Sequence, residues 1–257
     1  MNAKNLFTLS TDFGSGSSYV AQMKGVILSR YPEATIIDIA HDLPAFETLP
    51  AEVLLRETVW RFPPGTVHVV VVDPGVGSQR RPLVARAGGA FFTGPDNGVL
   101  GFIRRQEDAR FFHPRLDGII QGEVAPTFHG RDIFVPLALA MAAGRDPEQL
   151  GPEVRDPVAG AMPPPTRSAG GIDGRLILAD RFGNVTSNIH RTDLNFPARV
   201  ELDGRSLRLV QSFYEAAPDE LVALWGSDGY LEVAMNQASA ADRVAPGAGI
   251  SCLPDRS

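Results

Sequence analysis

The loop Asp73-Pro74-Gly75-Val76-Gly77-Ser78-Gln79-Arg80-Arg81 follows a run of four valines, Val69–Val72. It joins a carboxylate, two glycines and a pair of guanidinium groups, a composition that lets a small ligand approach charge and backbone together. Three further loops share this grammar: Thr11-Asp12-Phe13-Gly14, Thr127-Phe128-His129-Gly130-Arg131-Asp132 and Asp180-Arg181-Phe182-Gly183-Asn184. Each sets an ionisable side chain beside a glycine. Two place an aromatic ring next to the acid, as recognition of a flat base requires.

Taken singly, each residue has a commoner job. Asp12 before Phe13-Gly14 reads as an Asx-turn or helix cap, and Asp180 as the start of a turn. His129 reads as a satisfied core histidine, and Arg80 with Arg81 as a solvated pair. The recurrence of one pattern at four places favours a shared ligand site. Other chemistries fit poorly. Gly14-Ser15-Gly16 lacks the dinucleotide fingerprint, and no phosphate-binding Lys-Ser/Thr follows it. Asp38, His41 and Asp42 do not have regular metal-ligand spacing, so no metal is expected. There is no Gly-x-Ser-x-Gly elbow, and Cys252 near the end of the chain is badly placed as a nucleophile.

The elements that must hold these loops follow from periodicity. Leu6–Leu9, Thr35–Ile39 and Val67–Val72 read as strands, the last as one continuous apolar run expected of a strand buried on both faces. Between them lie helical patterns over Tyr19–Arg30, with Val20, Met23, Ile27 and Leu28 on one face, and over Ala51–Phe62. Strand, helix, strand, helix, strand implies a parallel sheet with right-handed crossovers. In such a sheet ligands bind at the carboxyl ends of the strands, where Asp12 and Asp73 fall. Phe91–Thr93 reads as a short strand before the turn Gly94-Pro95-Asp96-Asn97-Gly98, and Ile133–Ala143 as a helix ended by Gly144. The Pro/Gly-rich stretch from Gly151 to Gly171 marks a domain boundary. Beyond it, Gly174–Ala179, Arg199–Leu202, Leu207–Val210, Leu221–Trp225 and Tyr230–Ala234 read as short alternating strands of a smaller, mainly antiparallel, barrel-like β domain. The expected class is therefore α/β. Residues 1–160 form an N-terminal parallel-sheet domain, 161–171 a linker, and 172–257 the β domain.

Composition narrows the partners. The 257 residues carry a net charge of −6 with 44% hydrophobic and 21% charged residues, as in an ordinary globular protein. The acidic balance argues against a general nucleic-acid or anionic-membrane surface. A single cysteine fits a reducing compartment. Met1–Thr8 lacks the apolar stretch of a signal peptide, and the expectation is a cytoplasmic protein.

Together the motifs resemble the S-adenosyl-L-methionine (SAM) hydroxide adenosyltransferases, or SAM hydrolases, relatives of the SAM-dependent halogenases. The likeness is carried by Ser10-Thr11-Asp12-Phe13-Gly14, Asp73-Pro74-Gly75-Val76-Gly77, Gly94-Pro95-Asp96-Asn97-Gly98, Phe128-His129-Gly130-Arg131-Asp132 and Phe182-Gly183-Asn184. Gly229-Tyr230-Leu231-Glu232-Val233-Ala234 and Asn236 add to it. The resemblance implies hydrolysis of SAM to adenosine and L-methionine, with SAM as substrate and no cofactor. It also implies a homotrimer whose active sites lie between one chain's N-terminal domain and a neighbour's C-terminal domain. Its Asp–Arg–His set falls on Asp73, Arg80 and His129. His129 is then the expected proton acceptor, Asp73 orients it or shares the proton, and Arg80 stabilises negative charge. Among binding residues, Asp12 would take the ribose hydroxyls and Phe128 would pack on the nucleoside. Asp180 would meet the methionine ammonium, Phe182 and Asn184 the adenine, and Ser227 the carboxylate. Asp228 departs from the basic residue of the halogenating relatives, so in this segment the carboxylate would fall to Ser227 or to backbone N–H groups. A halide adenosyltransferase and a non-catalytic SAM or adenosine binder are the competing readings.

Overall fold

The computed structural model describes residues 5–168, 170–195 and 198–254. The chain divides into two units at Ala161/Met162.

The first unit is built on strands β1 (Leu6–Thr11), β2 (Thr35–Ala40), β3 (Val67–Val71), β4 (Pro82–Ala87), β5 (Ala90–Pro95), β6 (Arg110–Phe112) and β7 (Glu153–Val154). Their order in the sheet is β2-β1-β3-β5-β4-β6-β7. β2, β1 and β3 run parallel, as the alternating pattern predicts, and β5 joins β3 in parallel as well. The sheet then continues in antiparallel fashion through β4, β6 and β7. These strands escape sequence reading: β6 and β7 are only three and two residues long, and β4 is buried at all but one position, so it shows no alternation. β4 returns to β5 through the two-glycine turn Gly88-Gly89, both at positive φ.

Helices α1 (Ser18–Arg30), α2 (Thr48–Thr58), α3 (Val135–Ala142) and α4 (Pro147–Leu150) complete the unit. Ser17 caps α1 by accepting the Tyr19 amide at 3.1 Å, and Tyr31 before Pro32 ends it. Val20, Met23 and Ile27 face the core as expected, but Leu28 is 41% exposed on the outer side. The pattern over Ala51–Phe62 resolves into α2 and a 3-10 turn at Val59–Arg61, and that over Ile133–Ala143 into a π-turn at Gly130–Phe134 leading to α3. Every residue of β3 is buried. Val67, Val69 and Val71 pack with Phe7, Met23, Ile27, Phe134 and Leu137 on one face. Val70 and Val72 pack with Leu55, Phe92 and Ile103 on the other. That two-sided burial is why the run is uniformly apolar apart from His68. His68 stacks on Phe92 with centroids 4.9 Å apart, and its Nδ1 lies 2.7 Å from the Thr8 hydroxyl. Burial pushes its pKa down to about 3.

The second unit comprises β8 (Thr166–Ser168), β9 (Gly171–Ala179), β10 (Val185–His190), β11 (Ala198–Leu202), β12 (Arg205–Val210), β13 (Val222–Trp225), β14 (Tyr230–Ala234) and β15 (Gly249–Pro254). Seven of them close in the order β9-β10-β14-β13-β12-β11-β15 back to β9, with β8 paired on β9. All pairs are antiparallel except β12 with β13, so the barrel-like reading holds with one parallel seam. Its interior is filled by Ile172, Leu176, Val185, Ile189, Val200, Leu231, Val233 and Cys252. Closure leaves no long open edge and gives the small domain a core of its own. Among the described residues no helix is long and apolar enough to cross a membrane.

Candidate active site

β1 and β3 lie side by side and end at Thr11 and Val71, so the sheet delivers Asp12 and Asp73 to the same edge. There a cavity of about 300 Å³ is lined by Asp12, Tyr19, Phe46, Asp73, Val76, Phe128 and His129, among others. Two loops close on each other to form it. Gly77 has φ +79°, and a Cβ there would stand 2.8 Å from the Pro126 carbonyl, so only glycine lets the Asp73–Arg80 loop seat against the Pro126–His129 segment.

Within this site Arg80 is the link. Its Nε donates to Asp73 Oδ1 at 2.9 Å and to Oδ2 at 3.0 Å, and its Nη2 makes a still closer contact to Oδ2. The same Nη2 lies 2.6 Å from His129 Nδ1. The guanidinium also sits 5.2 Å above the Phe134 ring, which holds its plane. Both side chains of the ion pair are nearly closed off, Arg80 at 9% and Asp73 at 4% exposure. In that setting the attraction between the two charges is little screened by water.

A guanidinium only donates, so His129 Nδ1 must accept, and a neutral ring then carries its proton on Nε2. Burial, and next the positive charge of Arg80, hold the His129 pKa below its ordinary 6.5, against the opposing pull of Asp73 and Asp132. The ring is therefore neutral at neutral pH and presents an N–H as its remaining polar edge. This differs from the expectation that Asp73 orients His129 directly: Arg80 stands between them, and the lone pair of Nδ1 is engaged by it.

Asp12 is in the cavity wall, with Oδ2 accepting the Phe46 amide at 2.9 Å. A carboxylate has four lone-pair directions, so acceptance from ribose hydroxyls stays open to it. Phe128 is 5% exposed and packs edge-on against Tyr19 and Phe13, with centroids 4.9 and 6.0 Å away. It is a core residue that shows only a margin to the cavity. Tyr19, Phe46 and Val76 were missed by sequence reasoning. Phe46 is 72% exposed at φ +69°, a combination that no periodicity reveals.

The remaining candidates lie in the second unit. Asp180 Oδ1 accepts the amides of Phe182 and Asn184 at 2.8 and 2.9 Å, and Oδ2 accepts Asn184 Nδ2 at 3.0 Å. Its carboxylate thus organises the turn, the commoner of its two jobs. That turn needs glycine at 183, with φ +82° and Ser239 2.3 Å from any added Cβ. It presents Phe182 and Asn184 to a second cavity of about 670 Å³, shared with Phe213, Met235, Asn236 and Ser239. Asp180 and Ser227 do not line that cavity. Ser227 is exposed in the turn between β13 and β14. Besides Phe182 and Asn184, only Asn236 of the lining residues stood out in the sequence. Phe213 and Met235 carry no motif.

The metal reading finds other uses for its residues. His41 Nδ1 lies 2.9 Å from the Thr11 hydroxyl and Nε2 3.0 Å from Asp38, while Asp42 accepts the Ser15 amide at 2.9 Å.

An α/β unit with an Asp73–Arg80–His129 chain beside the carboxyl ends of its central strands is followed along the chain by a barrel-like β unit. Models of the SAM hydroxide adenosyltransferase N-terminal and C-terminal domains match residues 7–151 and 174–250. The chain is 39% identical to an (R)-S-adenosyl-L-methionine hydrolase of Thermus thermophilus, covering 90% of this chain and 91% of that one. It is 28% identical to a fluorinase of an Actinoplanes species, covering 92% and 93%. A crystal structure of a conserved Thermotoga maritima protein superposes with a TM-score of 0.81 at 31% identity, covering 96% of this chain and 99% of that one. The chain belongs to the SAM hydroxide adenosyltransferase family.

Proposed function

We propose that this protein is a SAM hydrolase, converting SAM to adenosine and L-methionine by in-line attack of water on the ribose C5′. The observation that carries this reading is the Asp73–Arg80–His129 chain at the cavity. The O–C5′ bond forms as C5′–S breaks, and the electron pair stays on sulfur as a neutral thioether. No acid is needed for that departure. The difficulty lies in the nucleophile, which must be held in line and relieved of a proton. His129 Nε2–H donates to the water oxygen and aims it, while Arg80 stabilises developing hydroxide character. Asp73 accepts the proton. Because the oxygen becomes strongly acidic as it bonds to carbon, a weak, well-placed base suffices. Positioned proton transfer contributes roughly 10²–10⁴-fold, and in-line alignment much of the remainder.

Asp12 takes the ribose hydroxyls and Phe128 backs the nucleoside. Phe182 and Asn184 receive the adenine on the turn that Asp180 organises, with Ser227 assigned to the methionine end. The assembly read from the family resemblance is a homotrimer in the cytoplasm, each site joining one chain's first unit to a neighbour's second. Exposed apolar side chains support this: Tyr19 at 50% and Phe46 at 72% beside one cavity, Phe182 at 74% and Phe213 at 42% beside the other. Against halide transfer, the Asp73 carboxylate opposes an anion at the attacking position.

The test is incubation with SAM in ¹⁸O-labelled water, following adenosine, methionine and the label. Adenosine carrying ¹⁸O at its 5′ hydroxyl is expected. Tight adenosine binding with no turnover makes the protein a binder, and 5′-chloroadenosine in chloride makes it a halogenase.

A further inference from the structure

The turn Gly94–Gly98 was conspicuous in the sequence, yet the proposed chemistry gives it no part. Its place in the fold does. β5 lies between β3 and β4 in the sheet, so the Asp73–Arg81 loop, which joins β3 to β4, must cross the carboxyl end of β5. The turn emerges at that crossing and holds the loop at both ends.

At the entry, Asn97 Nδ2 donates to the Val72 carbonyl at 2.8 Å, one residue before Asp73. Asn97 Oδ1 accepts the Val99 amide at 3.2 Å, so a single orientation of the amide satisfies both contacts. At the exit, the Asp96 amide donates to the Arg81 carbonyl at 2.9 Å, and Asp96 Oδ2 accepts Arg81 Nε at 2.7 Å, one residue after Arg80. The Asp96 side chain is 3% exposed, and its Oδ1 accepts the Val158 amide at 2.8 Å. Close packing leaves the turn little room to shift. A Cβ at Gly94 would meet the Val70 carbonyl at 2.7 Å, and one at Gly98, with φ +95°, the Ala159 carbonyl at 2.4 Å.

We infer that Asn97 and Asp96 are positioning residues that clamp the two ends of the Asp73–Arg80 loop and so set the geometry of the reacting carboxylate. The inference rests on the reading of Asp73 given above. Neither residue lines the cavity, so they act on turnover and leave substrate binding alone. Misplacing a reacting group by about 1 Å costs on the order of 100-fold in rate.

The experiment is steady-state kinetics of adenosine release from SAM by the full chain, with folding checked by circular dichroism. Asn97→Ala is expected to lower kcat by about 10- to 100-fold, with KM for SAM held within about threefold. Asn97→Asp keeps the side-chain volume and the Val99 acceptor but loses the donor to Val72. A residue that only shapes its own turn is rescued by this change, whereas a clamp on Val72 is not, so Asn97→Asp is expected to fall as far as Asn97→Ala. It also reads the proposal should the alanine variant not fold. In an Asp73→Asn background, Asn97→Ala is expected to add less than about threefold, because its effect passes through Asp73. Wild-type kcat in a folded Asn97→Asp, or the full loss multiplying onto Asp73→Asn, overturns the clamp while leaving the Asp73 reading intact. Full turnover by Asp73→Asn alone overturns that reading, and the clamp with it.

Discussion

His129 illustrates how one hydrogen bond reassigns a residue's chemistry. Its type and loop point to a proton acceptor, the usual role of an active-site histidine. Once Arg80 occupies Nδ1 from 2.6 Å, the ring turns a proton toward the cavity and becomes a donor. Nothing in the sequence says which nitrogen a neighbour will engage, so this was legible only in coordinates. Asp73 and Asp12 were legible because each ends a strand of a parallel sheet. The pH dependence follows from the sign of the shift. Because the His129 pKa lies below 6.5, the neutral form predominates at pH 7, and protonation sets an N–H against Arg80 only at more acidic pH. The kcat/KM for SAM is therefore expected to be flat from about pH 7 upward and to fall below about 6.5. His129→Ala should lower kcat by about 10²–10³ and abolish that acid limb. A rate that climbs as pH drops through 6 would rule the neutral-donor role out.

Among the elements, β3 does most to join sequence, core and site. Its continuous valines read correctly as a central strand, and its end delivers Asp73. By contrast, β6 and β7 extend the sheet without a sequence signal, because strands of two or three residues contain too few alternations to show a period, and the six-residue β4 shows no alternation because all but one of its residues are buried. The second unit was legible by its spacing of short strands, although β8, β10 and β15 were not among those read. β3 also carries a buried liability in His68, whose pKa of about 3 lies far under its unfolded value of about 6.5. Above pH 6.5 both states are neutral, and the group contributes no pH dependence. As pH falls, the unfolded chain takes up a proton that the folded one refuses, so stability drops progressively until about pH 3. Urea unfolding is expected to lose a few kcal/mol across that window through this residue. His68→Gln should be less stable at pH 7 by roughly 1–3 kcal/mol, having lost the stacking on Phe92. Its acid slope should be shallower, so the two stability curves converge toward pH 3. Parallel curves would place the acid sensitivity elsewhere.

For the molecule as a whole, the two cavities allow a test of the proposal that each site joins one copy's first unit to a neighbour's second. Asp12, Asp73 and His129 belong to the first unit, Phe182 and Asn184 to the second, and each group was recognised separately by its glycine-flanked acid. Residue motifs carry no record of whether their partners are in the same copy. If a working site joins units from different copies in a symmetric ring, two defects placed in different units can be separated by mixing. Take Asp73→Asn as a chain broken in its first unit, and Phe182→Ala with Asn184→Ala as one broken in its second. Each assembles alone into an inactive protein. Co-expressed in equal amounts, each site draws its first unit and its second unit independently, so about one site in four receives two intact halves. Turnover per chain is expected to recover to about a quarter of wild type, with the species sized by light scattering as a trimer. A site formed within one copy gives a different answer, because every chain then carries one defect and no mixture restores activity. Recovery absent from a confirmed mixed trimer would place both halves of the site in the same chain.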